Sequence, residues 1–182
     1  GELRALNLVL GQGGDVKQVV VGLGANLGAG RETLRAAALA LRAAYPDDFA
    51  ASPLYRSAPQ HCPPGSPPFW NAVVRFAVPE ALAPEALLDA LLTLERGHGR
   101  ARSIPNAPRT LDLDLVLFGQ DLIATPRLTV PHPRALDRDF VLGPLAALEP
   151  ERLWPVSGQS VAELWAAFSG PRTLETVAEV WC

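Results

Sequence analysis

Apolar and polar positions alternate most regularly from Pro108 to Phe118, P-R-T-L-D-L-D-L-V-L-F, and a period of two marks a strand with two unlike faces. Leu111, Leu113, Leu115 and Leu117 are predicted to point one way, and Thr110, Asp112, Asp114, Val116 and Phe118 the other. Residues 17–23, K-Q-V-V-V-G-L, read as a buried strand, followed by a tight glycine turn from Gly22 to Gly28. Leu34, Ala38, Leu41 and Tyr45 recur at helical spacing and predict a helix over 31–45. Residues 50–57 predict a second short strand. Phe69 to Val78 predicts a third, in which Asn71 shares a face with Phe69 and Val73. Pro84 opens a second helix at a favoured first-turn position, running to about Arg96 with a wide leucine face. After the D-x-D strand, Gly119-Gln120-Asp121 turns the chain and residues 122–132 bring it back past the same edge. A helix over about 138–148 follows, and Trp154 to Cys182 reads as peripheral packing with a helix at 160–168.

Strand, helix, strand, strand, helix, strand predicts an α+β fold: a ferredoxin-like antiparallel sheet with helices packed on its faces, in a single domain. Residues 1–16 are expected to be an N-terminal extension and 17–182 the domain itself. Five prolines between Ala58 and Pro68 make that stretch a stiff, irregular loop, and a long loop of this kind is more often functional than idle.

Composition changes this picture by exclusion. Net charge is −3 and pI about 5.6, so no general basic field invites nucleic acid or an anionic membrane. No apolar run approaches the roughly 18 residues of a membrane span, which makes the cytoplasm the default location. Cys62 and Cys182 do not make a disulfide framework, and His61, His98 and His132 lack zinc-like spacing. The glycine turn does not fit a dinucleotide fingerprint, because Leu27 stands where the third glycine belongs. Lys17, the one lysine, precedes these glycines, which excludes a Walker phosphate loop.

The chemistry concentrates around Asp112 and Asp114. Two carboxylates two residues apart on one strand face stand about 6.6 Å apart, and an ionised pair at roughly 7 Å repels by about 2.4 kcal/mol at an effective dielectric of 20. Such a face is either left in water or bridged by cations. Two divalent ions about 4 Å apart could be gripped there, the arrangement used for displacement at phosphorus. Glu95 continues the apolar face of the second helix at its C-terminus, where the macrodipole disfavours an anion. Arg96, Arg100, Arg102 and Arg109 then follow with no acid before Asp112, in a glycine-flanked loop. Magnesium on the aspartates and guanidinium forks on the remaining oxygens would make a polyphosphate site. Asn71 inside an apolar strand needs a partner, structural or ligand. His132 sits between two prolines on a rigid loop.

The motifs G-A-N-L-G at 24–28, S-P-L-Y-R-S-A-P at 52–59, F-W-N-A-V at 69–73 and L-E-R-G-H-G-R-A-R at 94–102 carry a resemblance. With P-R-T-L-D-L-D-L-V-L-F-G at 108–119 and R-L-T-V-P-H-P at 127–133, the chain resembles the 6-hydroxymethyl-7,8-dihydropterin pyrophosphokinases over residues 18 to about 160. The resemblance implies transfer of the terminal diphosphate of ATP to the pterin's hydroxymethyl oxygen in folate synthesis, by a monomer that uses two Mg2+ ions and small-molecule substrates. Asp112 and Asp114 match the metal ligands, and Arg100 and Arg102 the catalytic lid arginines. Glu95, Arg100, Arg109, Leu115, Arg127, Thr129, His132 and Arg138 match positions around ATP. Ser57, Ala58, Phe69, Asn71 and Phe140 match the pterin pocket, with the two phenylalanines stacking and Asn71 reading the edge. The chain departs from some family members in lacking a tryptophan in the lid stretch near Asn106, and in its proline-rich 58–68 loop. Another D-x-D nucleotide transferase and a ferredoxin-like nucleic-acid module are the rival readings. The second would need exposed aromatics on a basic surface, which Phe69 and Phe76 at this pI do not supply.

Overall fold

The run V-K-Q-V-V-V-G-L-G-A forms the central strand β1 (Val16–Ala25), and Val19, Val20 and Val21 have no exposed surface at all. A strand covered on both faces has no reason to alternate, which is why its core reads as an unbroken apolar run. The computed structural model describes residues 15–25, 29–57, 64–65, 67–98 and 111–182. After β1 come α1 (Gly30–Ala44), β2 (Ala50–Ala51), β3 (Leu54–Ser57), β4 (Phe69–Pro79), α2 (Pro84–His98) and β5 (Asp112–Phe118). A hairpin of β6 (Ile123–Ala124) and β7 (Thr129–Val130) leads to a 3-10 turn at Ala135–Asp137, then to α3 (Asp139–Leu148), α4 (Val161–Ala166) and β8 (Leu174–Ala178).

The main sheet runs β5-β1-β4-β3-β8, with β2 also on β4, and these pairings are antiparallel. With β1 and β4 central and β5 and β3 beside them, the expected ferredoxin-like arrangement is present. Helices lie on both faces. Leu34, Ala38 and Leu41 of α1 and Leu87 and Leu91 of α2 pack with Val19, Val21 and Leu23. Val141, Leu142 and Leu145 of α3 pack from the other side on Val20, Val73, Val116 and Leu117.

Four local expectations are corrected. Val20 pairs with Leu117 but Val21 with Leu115, so Val116 is an extra residue in β5. One extra residue inverts the parity of everything after it. Phe118, not Leu117, therefore joins Leu111, Leu113 and Leu115 beneath α1 and α2, while Leu117 lies with Val116 against α3. The predicted turn starting at Gly22 begins later, since β1 stays paired on β4 through Ala25. The single strand over 50–57 is two strands, because Pro53 has no N–H to give to a ladder. Finally, the C-terminal residues are not merely peripheral: β8 extends the sheet beside β3, and buried Trp181 donates its indole N–H to the Ser52 carbonyl at 2.8 Å.

Among the described residues, no helix is long and apolar enough to cross a membrane. The break at Ser52-Pro53 is closed by one hydroxyl, which accepts the buried Val73 N–H at 2.9 Å and donates to the Pro53 carbonyl at 2.8 Å. Ser52→Ala leaves that amide without its side-chain acceptor. It is expected to cost about 1–3 kcal/mol of unfolding free energy, measured by urea denaturation, with an unchanged m-value. A loss below about 0.5 kcal/mol would mean that the strand break closes without the hydroxyl.

Candidate active site

Two glycines of β1 index the site. In the sheet register Gly24 lies between Asp112 of β5 and Asn71 of β4, and Gly22 lies between Asp114 and Val73. A Cβ on Gly24 would come within 3.3 Å of the Asn71 Nδ2, and one on Gly22 within 3.6 Å of the Val116 Cγ2. The missing side chains thus belong to the face that carries Asp112, Asp114 and Asn71, the α3 side. Leaving them out opens a floor between two aspartates and an amide. Asp112 is exposed and the Asp114 side chain is 40% exposed, so the predicted same-face pair is present and solvated.

β5 is the edge of the sheet, and two of its outward backbone groups are occupied. Leu113 N–H donates to the Glu95 Oε2 at 2.7 Å, and Glu95 is only 6% exposed. That bond accounts for the two oddities of Glu95 in the sequence: a carboxylate at the last turn of a helix is buried because it accepts a strand-edge amide. Further along, His132 N–H donates to the Val116 carbonyl at 3.0 Å. The His132 Nδ1 accepts the Arg134 backbone N–H at 3.2 Å. Burial pushes the His132 imidazole below its ordinary range; Asp114 opposes that shift, while Arg138 and Arg134 add to it. A neutral ring whose Nδ1 accepts carries its proton on Nε2.

Across this floor stands the start of α3. An Arg138 guanidinium nitrogen lies 4.0 Å from the Asp114 Oδ2, and the guanidinium carbon is 5.3 Å from the centre of the Phe140 ring. On the other flank, the buried Ser57 hydroxyl donates to the Asn71 Oδ1 at 3.2 Å. Asn71 is 5% exposed, so its expected structural partner exists and fixes which way the amide faces. Phe69 and Phe140 are both half-buried.

Other expected residues are placed differently. Arg127 is exposed and pairs with Asp89 and, at 3.5 Å, Glu85, both on α2. Thr129 is exposed on β7, and the Leu115 side chain is buried in the core under α1 and α2. Ala58, Arg100, Arg102 and Arg109 lie outside the described residues. Sequence reasoning missed the in-strand role of Gly22 and Gly24, although their i, i+2 spacing was a usable signal. It also missed Arg134, whose backbone contribution leaves no mark on residue type.

Among the described residues, no group of three or more His, Cys, Asp or Glu could hold a metal ion. A pair of solvated carboxylates suits magnesium, which takes one or two carboxylates and completes its octahedron with water and phosphate oxygens.

The family model for 7,8-dihydro-6-hydroxymethylpterin-pyrophosphokinase (HPPK) matches residues 20–150. The 2-amino-4-hydroxy-6-hydroxymethyldihydropteridine pyrophosphokinase of Pseudomonas aeruginosa is 45% identical over 154 residues, covering 84% of this chain and 92% of that protein. A mitochondrial folate synthesis bifunctional protein of Arabidopsis thaliana is 38% identical over 72% of this chain, which spans 23% of its length. The solved structure of wild-type Plasmodium falciparum HPPK-DHPS superposes with a TM-score of 0.63 at 14% identity. That match covers 84% of this chain and 44% of the other, and shares the fold.

The depressed imidazole has a pH consequence. In the unfolded chain His132 takes up its proton near its ordinary 6.5, whereas the folded site resists protonation until lower pH. Its contribution is therefore present above the unfolded value and is lost as pH falls toward the folded one. The unfolding free energy of wild type minus that of His132→Asn should fall between pH 7.5 and pH 5, read by paired urea melts. A difference that is flat or rises on acidification would contradict a buried neutral ring.

Proposed function

This chain belongs to the 7,8-dihydro-6-hydroxymethylpterin pyrophosphokinase family, and on that premise we propose how its residues share the reaction. The reaction is ATP-dependent transfer of pyrophosphate to hydroxymethyldihydropterin, a step of folate synthesis. The hydroxymethyl oxygen attacks the β-phosphorus and loses its proton. The bond from that phosphorus to the α–β bridging oxygen breaks, and AMP leaves with the electron pair. Ordinary kinases are attacked one phosphorus further out.

The observation that supports the division of labour best is the row Asp112–Gly24–Asn71. Two strand spacings separate the aspartate from the amide, about 9.6 Å. That is room for a metal-bound phosphoryl group on one side and a hydroxymethyl group on the other, with nothing larger than glycine between. Asp112 and Asp114 would hold two Mg2+ ions, which when bound neutralise the phosphate oxygens and draw charge from the β-phosphorus. The pterin stacks between Phe69 and Phe140, with Asn71 reading its edge, held by Ser57, and the Ala58 backbone lining the pocket.

ATP lies along the outer edge of β5. Glu95 anchors that edge at Leu113, and strand parity turns the Leu115 amide and carbonyl outward, where an adenine edge can meet them. His132 offers a neutral Nε2–H donor toward the nucleotide. Arg138, placed between Asp114 and Phe140, serves phosphate and pterin sides together. Thr129 flanks the nucleotide, and Arg127 would have to leave Asp89 and Glu85 to reach it. Arg109 binds the triphosphate, while Arg100 and Arg102 close over it and meet the charge that develops in the transition state.

The direct test is nucleotide product. AMP should form only when ATP, Mg2+ and reduced pterin are all present, and AMP release without pterin would replace the transfer with hydrolysis. Asp112→Ala and Asp114→Ala should each lower kcat at least about a thousandfold, in keeping with several kcal/mol of lost charge stabilisation. Thermal stability of the metal-free protein should hold, because neither side chain is part of the buried core. Variants that unfold early yet keep activity when folded would sink the metal assignment.

Asn71→Ala is expected to weaken pterin binding by about 1–3 kcal/mol while Mg-ATP binding, titrated alone, stays unchanged. An equal loss for both ligands would take Asn71 out of the pterin pocket.

A further inference from the structure

The first turn of α3 is also gripped by a segment further along the chain. Asp139 is buried to 8% exposure, and its Oδ2 accepts two hydrogen bonds from Thr173, the backbone N–H at 2.7 Å and the hydroxyl at 3.0 Å. One turn along the same helix face, Gly143 packs so tightly that an added Cβ would stand 3.0 Å from the Leu174 Cδ1 and 3.1 Å from the Trp165 ring. Leu174 in turn opens β8 and pairs with Ser57 of β3. Ser57 is the residue whose hydroxyl orients Asn71. The dipeptide Thr173-Leu174 therefore touches both walls of the pocket: the helix that carries Phe140 and the strand that carries Ser57. It lies outside residues 20–150, the part matched by the family model.

The Asp139 carboxylate is not spent on its own helix. An acid in the first turn is favoured by the macrodipole, yet the N-cap residue Arg138 makes no side-chain cap bond, and Asp139 reaches across to another segment. A buried carboxylate costs free energy unless donors meet it, and here both donors come from one residue. We propose that Asp139 and the Thr173-Leu174 step form a clamp that sets the gap between Phe140 and Asn71, making Asp139 a positioning residue for the pterin. The clamp rests on the reading of Phe140 and Asn71 as pterin contacts.

The experiment titrates the 182-residue chain with 6-hydroxymethyl-7,8-dihydropterin in the presence of Mg2+ and α,β-methylene-ATP, which cannot release AMP. Nucleotide affinity is measured separately without pterin. Asp139→Ala should weaken pterin binding about tenfold, equivalent to roughly one strong hydrogen-bonded contact, with nucleotide affinity within about twofold. Asp139→Asn should stay near wild type, since an amide oxygen in the place of Oδ2 accepts both the Thr173 N–H and its hydroxyl. Thr173→Ala, which removes one bond, should lose about threefold, and adding it to Asp139→Ala should lose nothing more. Gly143→Ala should also weaken pterin binding, although alanine favours helix.

Pterin affinity unchanged in Asp139→Ala, or an equal loss for nucleotide, would overturn the clamp. So would Asp139→Asn behaving like alanine, which would make charge the agent instead of geometry. Should Asp139→Ala not fold, unchanged pterin affinity in both Thr173→Ala and Gly143→Ala would overturn it equally. Phe140→Ala separates the two readings. If it leaves pterin binding intact, the pocket assignment fails; if it weakens binding while Asp139→Ala does not, only the clamp fails.

Discussion

The register of β1 between β4 and β5 is the constraint on which the site depends. Because β1 pairs on both sides, Gly24 sets Asp112 opposite Asn71, and Gly22 sets Asp114 opposite Val73. A slip of one residue would turn both aspartates and Asn71 into the core under α1 and α2. The alternating core residues of β4 and β5 hold that register, since a slip would take Leu113, Leu115, Val74 and Phe76 out of the core under α1 and α2. The hydrophobic core thus fixes where the charges stand, and the glycines decide that nothing fills the space between them.

Like charge is concentrated on this face. Asp112 and Asp114 share a face, and Arg138 approaches Asp114 only to 4.0 Å across a partly exposed gap, a contact worth well under about 1 kcal/mol. Nearby, His132 is kept neutral by burial and by Arg138 and Arg134. A site arranged this way presents two carboxylates toward solvent and offers a neutral N–H donor next to Asp114. Both features suit a polyanionic nucleotide that arrives with magnesium, because neither has to be undone when it binds.

The sheet edges show the same economy of parts. An open edge strand is a liability, and β5 covers its own with Glu95 at Leu113 and with the His132 amide at Val116. Each of these groups also stands on the edge proposed above for the nucleotide. At the opposite end, β8 covers β3 while its leading residues hold α3. Edge protection and site assembly are performed by the same residues at both ends of the sheet.

Local information determined a good deal of this protein. Period-two spacing placed Asp112 and Asp114 on one face, and helical spacing placed α1, α2 and α3 within a residue or two of their observed ends, because side-chain direction repeats with the backbone whatever lies opposite. Asn71 in an apolar strand and Glu95 at a helix C-terminus were legible as polar groups in need of partners, though not which partners. Tertiary structure alone decided that Asn71 receives the Ser57 hydroxyl, that Glu95 receives the Leu113 amide, and that Arg127 rests on Asp89. It also decided the extra residue at Val116, the in-strand place of Gly22 and Gly24, and the return of Thr173 to Asp139. Each of these is a relation between segments far apart in the chain. A residue's own periodicity reports which face it prefers, but a bulge, a gap or a hydrogen bond depends on what the neighbouring strand presents at that height, and that is settled only when the strands pair.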